Sequence, residues 1–464
     1  MKHILFSLLF TIVHLSFFAQ EKQPTISGQV KISILEGTFD CDLTLSNIPD
    51  IKDYLIRLNA GMNLLQMRSK APNDFVLSYD KSKTDSMSTG ESFAYFFPNQ
   101  TGKFLPESIQ FRYVGKFPVA TDTLTNYSRD DWKGNIAFNG YSVRTDGFQT
   151  AWYPYIYDAE KDVSYEKMSY DIDIECLDCS TIYVNGNKPV RATKIQVKSD
   201  VPYELALFCG KYDFVDDGKL VMLNPSFSKK DLADFSELIA TYKTYYELKL
   251  AIPFSESPVF VNTTPTSIYN GWLFVTYPTI MGIGWGNNGL GALFEKDSKK
   301  WFEQFIAHEL GHYYFGTVKV FNSELGDMLS EGFAEFLSLK LVEELQSKKM
   351  LDKIIDQKFE QLKEAKFPSI SKIKSVNDIQ ERDLFVYCYG PVIFSAIEKE
   401  IGTEKMWKWI STILSTKVDF TNYVFVCSTL KQAINDEQLF QHIEATYFIS
   451  ENALENAKKK VLTK

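Results

Sequence analysis

Near Pro225 the spacing of apolar residues in this chain changes, and that change limits the folds open to it. Before it, apolar side chains recur at every second position. Val30, Ile32 and Ile34 alternate with polar residues, and so do Phe39, Cys41, Leu43 and Leu45. A period of two puts successive side chains on opposite faces of a strand. Tyr54 to Leu58, Ser108 to Tyr113 and Tyr170 to Ile174 extend the pattern, and Asn185-Gly186 and Asp216-Asp217-Gly218 mark turns between strands. Regular strands without a long helical pattern predict an antiparallel sandwich or saddle over residues 21–222. Beyond Pro225, Leu232, Phe235, Leu238, Ile239, Tyr242 and Tyr245 fall at helical spacing within Lys229 to Leu248. Strands are expected at Pro258 to Thr263 and Trp272 to Thr276, then a glycine-rich stretch from Met281 to Ala292, then mostly helix from Ser298 onward. The fold class is α+β and multidomain, with a second domain over residues 223–464.

Length agrees with more than one domain, since 464 residues exceed one ordinary hydrophobic core. The 36 Phe and 25 Tyr favour large β surfaces and filled cores over disorder. A net charge of −9 with no basic stripe argues against nucleic acid as a partner. The Lys458 to Lys460 run is expected to be a solvated end.

The first twenty residues stand apart. Lys2 precedes an apolar run from Ile4 to Phe18, and Ala19 suits the last position before cleavage, so residues 1–20 read as a signal peptide. The run is short for a membrane span and is broken by His14, so no membrane anchor is expected. Export to the periplasm or the medium permits disulfides among Cys41, Cys176, Cys179, Cys209, Cys388 and Cys427. Cys176 and Cys179 form a lone CxxC, for which a local disulfide or two free thiols is the expectation.

Chemistry concentrates in Trp301 to Gly316, which reads WFEQFIAHELGHYYFG. Phe302, Phe305, Ile306 and Leu310 give this segment an apolar helical face. His308 and His312 are four residues apart, so on a helix both imidazoles lie on one side and can share a zinc ion. Glu309 stands beside them as a base able to take a proton from water. Of five histidines, His3 and His14 lie in the signal, so two of the remaining three belong to this motif. A hydrolytic zinc site needs a third protein ligand. Glu331 follows His312 after eighteen residues, a spacing that lets a second helix return a carboxylate. Asp327 and Glu335 lie one turn to either side of it, each placed to hold a ligating imidazole or to make a plain ion pair.

HELGHYYFG, the eighteen-residue gap and SEGFAEF resemble the aminopeptidase N family of gluzincin zinc metallopeptidases. Further likeness lies in Tyr203 to Tyr212, in Trp152-Tyr153-Pro154, and in Tyr387-Cys388-Tyr389-Gly390 with the PVIFSAIEKEIG that follows. The resemblance implies a β-rich N-terminal domain on a thermolysin-like α/β domain, with one zinc ion in the cleft between them. It implies zinc ligands His308, His312 and Glu331, general base Glu309, and Tyr387 as the hydroxyl that stabilises the oxyanion, with Tyr389 as its rival. Peptides or proteins are the implied substrates.

Two departures bear on the reaction. The family carries a Gly-x-Met-Glu-Asn strand whose Glu grips the substrate amine. Here the matching residues are Gly284, Trp285, Gly286 and Asn287, so glycine replaces that Glu while the backbone can still pair with an extended peptide. Gln149 is a weak substitute for the missing carboxylate. The family's long helical C-terminal domain also has no counterpart, which predicts an open site. The expectation is an exported aminopeptidase-like enzyme with an altered amine site; the alternatives are an exported endopeptidase or oligopeptidase, and a non-catalytic module that keeps zinc.

Overall fold

A computed structural model describes residues 22–69, 77–81, 93–98, 103–120, 136–225, 227–255, 257–263, 272–283, 290 and 299–462. The signal peptide expected over residues 1–20 lies outside the described residues, as do Gly284, Trp285, Gly286 and Asn287. Among the described residues no helix is long and apolar enough to cross a membrane.

Among the described residues the first half forms three sheets. The largest places Lys194–Glu204, Lys167–Cys176, Thr25–Ser33, Thr38–Ser46, Ile109–Lys116 and Met62–Ser69 side by side. Burial along Thr38–Ser46 and Lys167–Cys176 alternates residue by residue, as the period of two requires. The inward faces share one core with the five-stranded second sheet, which contains Tyr54–Asn59 and Tyr155–Asp158. Trp152 and Tyr153 are fully buried there, and the Tyr113 hydroxyl donates to the Trp152 carbonyl at 2.9 Å.

The largest sheet is mixed, where the sequence pattern predicts antiparallel pairing; the ladders of the other two are antiparallel. Thr25–Ser33 runs parallel to Lys167–Cys176, with Ile26 opposite Tyr170 and Ile32 opposite Cys176. Alternation fixes which face is buried but not the direction of a partner more than a hundred residues away. A parallel pair needs a crossover, and here the second sheet lies in that connection.

Position 222/223 falls inside the strand Val221–Leu223, which pairs with Phe214–Asp216 on one side and Val259–Thr263 on the other. The hairpin over 214–223 thus belongs to the sheet of the second half. Its turn residues, Asp216-Asp217-Gly218, look the same in either sheet, so local sequence does not assign it. Cys209, in the Leu207–Gly210 strand, brings its thiol into contact with those of Cys176 and Cys179. The CxxC pair therefore has a third thiol beside it.

The second half begins as a strand–helix–strand unit. Helix α1 (Lys229–Leu250) connects Val221–Leu223 to the parallel strand Val259–Thr263. Ser228 caps it by accepting the Asp231 N–H, and Ala251 ends it with a left-handed φ of 54°. Thr279–Ile283 pairs parallel to Val259–Thr263, and Trp272–Thr276 pairs antiparallel to it as the sheet edge. The helices from Lys299 onward pack on this sheet in one apolar core, and the Tyr246 hydroxyl of α1 donates to the Ala307 carbonyl at 2.8 Å. Lys460 pairs with Glu400 at 2.8 Å, so the last helix is docked through part of the lysine run.

Candidate active site

Helix α2 (Lys299–Gly311) and helix α3 (Gly326–Leu341) carry the motif residues. Ile306, Ala307 and Leu310 are fully buried and fix the face that α2 turns to the core. The two helices approach closely at Gly311, where an added Cβ would meet the Ala334 Cα at 3.2 Å. Side chains larger than Gly and Ala there would spread the helices and withdraw Glu331 from the imidazoles.

Three donor atoms converge as a result. His308 Nε2 lies 3.2 Å from His312 Nε2 and 3.4 Å from Glu331 Oε2, and His312 Nε2 lies 3.2 Å from that oxygen. A tetrahedral ion with ligands at about 2.0–2.1 Å would set its donors about 3.3 Å apart. The other ring nitrogens are engaged: His308 Nδ1 meets Glu335 Oε2 at 3.0 Å, and His312 Nδ1 meets the Phe315 carbonyl at 3.1 Å. With protons on both Nδ1 atoms, two lone pairs and a carboxylate face one point, an arrangement that a cation stabilises. Among the described residues this is the one His, Cys, Asp and Glu cluster with metal-site spacing. The residues fit zinc.

The surroundings hold this geometry. Glu335 bonds an imidazole, whereas Asp327 takes the other course, pairing with Arg382 Nε at 2.7 Å. Arg382 also lies 3.9 Å from Glu331 Oε1 and bonds the Tyr387 hydroxyl. Burial would raise the Glu331 pKa, but His312 and His308 hold it well below the ordinary carboxylate value. Sequence reasoning missed Arg382, which is one charge among several in ERDLF.

Tyr387 sits in a widened turn, Phe385–Tyr389, with its ring centroid 5.8 Å from that of His308. Burial first, then Glu331, raises its pKa, so it remains a phenol and a hydrogen-bond donor. Tyr389 is buried and stacks on Phe385 at 5.2 Å. Of the two, Tyr387 faces the cleft.

That cleft measures about 1180 Å³ and lies between the two halves. His308, Glu309, His312, Glu331 and Tyr387 line one wall. Val275 and Tyr277, at the sheet edge, line another, and Tyr157, Glu166 and Glu204 enter from the β half. Glu166 Oε2 is buried without a hydrogen-bond partner, and burial raises the pKa of its carboxyl. Glu204 reaches Gly147, where an added Cβ would lie 2.7 Å from Glu204 Oε2.

The β-rich half and the helical half thus enclose a cleft that holds a His-His-Glu triangle with an adjacent Glu. Residues 291–461 match the Peptidase family M1 domain. Among curated proteins no sequence matches this one. The fold is similar to an M1 zinc metallopeptidase from Deinococcus radiodurans, a mutant bound to a Tyr-Ser-Ala substrate, with a TM-score of 0.58 and 10% identity over 92% of this chain and 93% of that one. It is also similar to leukotriene A4 hydrolase from Saccharomyces cerevisiae, with a TM-score of 0.61 and 12% identity over 92% of this chain and 68% of that one. The yeast enzyme in complex with bestatin gives 0.62 and 11%, over 92% and 67%. At such identities the likeness concerns the fold.

Proposed function

We propose that this protein is a zinc-dependent aminopeptidase. The observation that carries the reading is the convergence of His308, His312, Glu331, Glu309 and Tyr387 on one cleft that Glu166 and Glu204 also line. His308, His312 and Glu331 would hold zinc, which supplies Lewis-acid polarisation of the scissile carbonyl and makes water acidic enough to attack near neutral pH. Glu309 takes the proton of the attacking water and returns it to the leaving amine. The Tyr387 hydroxyl donates to the oxygen that gains negative charge, with Arg382 holding the phenol in place. An extended peptide lies along the Trp272–Thr276 edge, where backbone groups are available for strand pairing. Its ammonium is received by the carboxylates of Glu166 and Glu204, in the role for which glycine at 286 is unsuited. The bound tripeptide in the Deinococcus radiodurans structure supports a peptide substrate for this fold.

Tyr387→Phe removes one oxyanion donor and leaves the ring. Its kcat is expected to fall by about 10²–10³, with KM within a few-fold of the parent, in steady-state assays on the same substrate.

The amine site is tested on a peptide library with free and acetylated N-termini, with mass spectrometry locating each cut. The expected products lack single N-terminal residues and come from free termini alone. Glu204→Gln and Glu166→Gln should each raise KM for free-amine peptides by roughly 10- to 150-fold, the loss of a charge-assisted hydrogen bond of about 1.5–3 kcal/mol. A cleft wider than most small-molecule sites favours the endopeptidase reading instead. Internal cuts in both sets would establish that reading, and zinc binding without any cut would leave a peptide-binding module.

A further inference from the structure

Lys358 is a lysine on the buried side of a helix. It lies on α4 (Lys348–Gln361), which Ser347 caps by accepting the Met350 N–H. Leu351, Ile355, Lys358 and Leu362 follow the spacing of one apolar stripe, and Lys358 is 8% exposed. A buried ammonium is costly unless paired. Here it has two partners, Glu335 Oε1 at 2.6 Å and the Tyr387 carbonyl at 2.7 Å.

Each partner leads to the reaction centre from a different side. Glu335 Oε2 holds His308 Nδ1 at 3.0 Å, while Gln304 Nε2 donates to Oε1 at 3.0 Å. Burial would raise the Glu335 pKa, but Lys358, followed by His308, takes it down to about 2. The Tyr387 carbonyl belongs to the widened turn that presents the phenol to the cleft. Wide turns interrupt the regular ladder of helical hydrogen bonds, and this carbonyl is bonded from outside the turn.

We propose that Lys358 is a positioning residue, whose one ammonium sets both the imidazole of His308, through Glu335, and the backbone that carries Tyr387. The Tyr387 half rests on the peptidase reading above; the His308 half concerns metal binding alone. Partners one step behind a metal ligand influence affinity by about 10- to 100-fold when removed.

The experiment compares Lys358→Met and Lys358→Arg with the parent. Zinc affinity is measured by chelator competition, ligand geometry by the visible spectrum of the cobalt-loaded protein, and turnover by kcat and KM. Lys358→Met should weaken zinc about tenfold or more and alter the cobalt spectrum. It should lower kcat with little change in KM, and the kcat loss should shrink in a Tyr387→Phe background. Lys358→Arg keeps the ion pair and should recover most of the zinc affinity. Thermal melting of the metal-free variants separates these effects from misfolding. If Lys358→Met does not fold, Lys358→Gln takes its place with the same readouts. Zinc affinity within twofold of the parent and an unchanged cobalt spectrum would overturn the proposal, as would failure of both neutral variants to fold, which would make Lys358 a structural residue. Parent protein that binds zinc but cleaves no peptide would discard the peptidase reading and leave the His308 half standing.

Discussion

Glu309→Gln is expected to lower kcat by about 10²–10⁴, the range in which a positioned acid–base group contributes. The substitution keeps shape, volume and hydrogen-bonding capacity, but an amide does not accept the proton of the attacking water or deliver it to the leaving amine. Glu309 is 6% exposed and lines the cleft, one residue from His308. It belongs to none of the pairs that converge on the metal point, which are drawn from His308, His312 and Glu331. Zinc stoichiometry should therefore remain one per chain, with a melting temperature close to that of the parent. Loss of turnover with retained zinc separates a chemical role from a structural one. A Glu309→Gln enzyme with full turnover would remove Glu309 from the reaction and, with it, the water-activation scheme.

The parts of the molecule that were legible in the sequence are those set by short-range periodicity. Val259–Thr263 and Trp272–Thr276 are strands where the sequence places them, and α1 covers the helical apolar spacing read within Lys229 to Leu248. His308 and His312 share a helix face because four residues make about one turn. Glu331 meets them because the chain has room for a return between α2 and α3. What was hidden depends on long-range contacts. Alternation within Thr25–Ser33 is silent about a parallel partner at Lys167–Cys176. Arg382 joins Asp327, Glu331 and Tyr387 only after the helices dock. Glu166 and Glu204 come from the β half, more than a hundred residues before the zinc motif. Lys358 left a visible trace, because a lysine on an apolar stripe signals a buried partner, but the sequence does not name Glu335 as that partner.

Removal of the third ligand should have the largest effect on metal and stability together. Glu331→Ala takes away the only carboxylate whose oxygen lies within 3.4 Å of both His308 Nε2 and His312 Nε2 among the described residues. It also deprives Arg382 of one of its two acidic partners on α3. Two neutral imidazoles alone bind zinc weakly, so the purified variant should contain well under one equivalent and show activity at least about 10³-fold down. Metal that binds the folded chain stabilises it by about 4 kcal/mol at a thousand times its Kd. For a unit of some 240 residues that corresponds to roughly 8–16 °C in Tm. The parent should gain this increment on zinc addition and lose it to a chelator, while Glu331→Ala should melt at the same temperature in both conditions. Proton competition gives a second check. Burial opposes a charge on His308, but Glu331 and Glu335 outweigh it and push its pKa up to about 10 in metal-free protein. That lies above the ordinary value of about 6.5, so the proton stabilises the metal-free fold fully below about pH 6.5, and this contribution is lost as the pH rises through about 10. Zinc must displace that proton, so its apparent affinity in the parent should climb with pH across this window. A Glu331→Ala protein that kept a full equivalent of zinc and a chelator-sensitive Tm would show that some other group closes the site, and Glu331 would lose its place as a ligand.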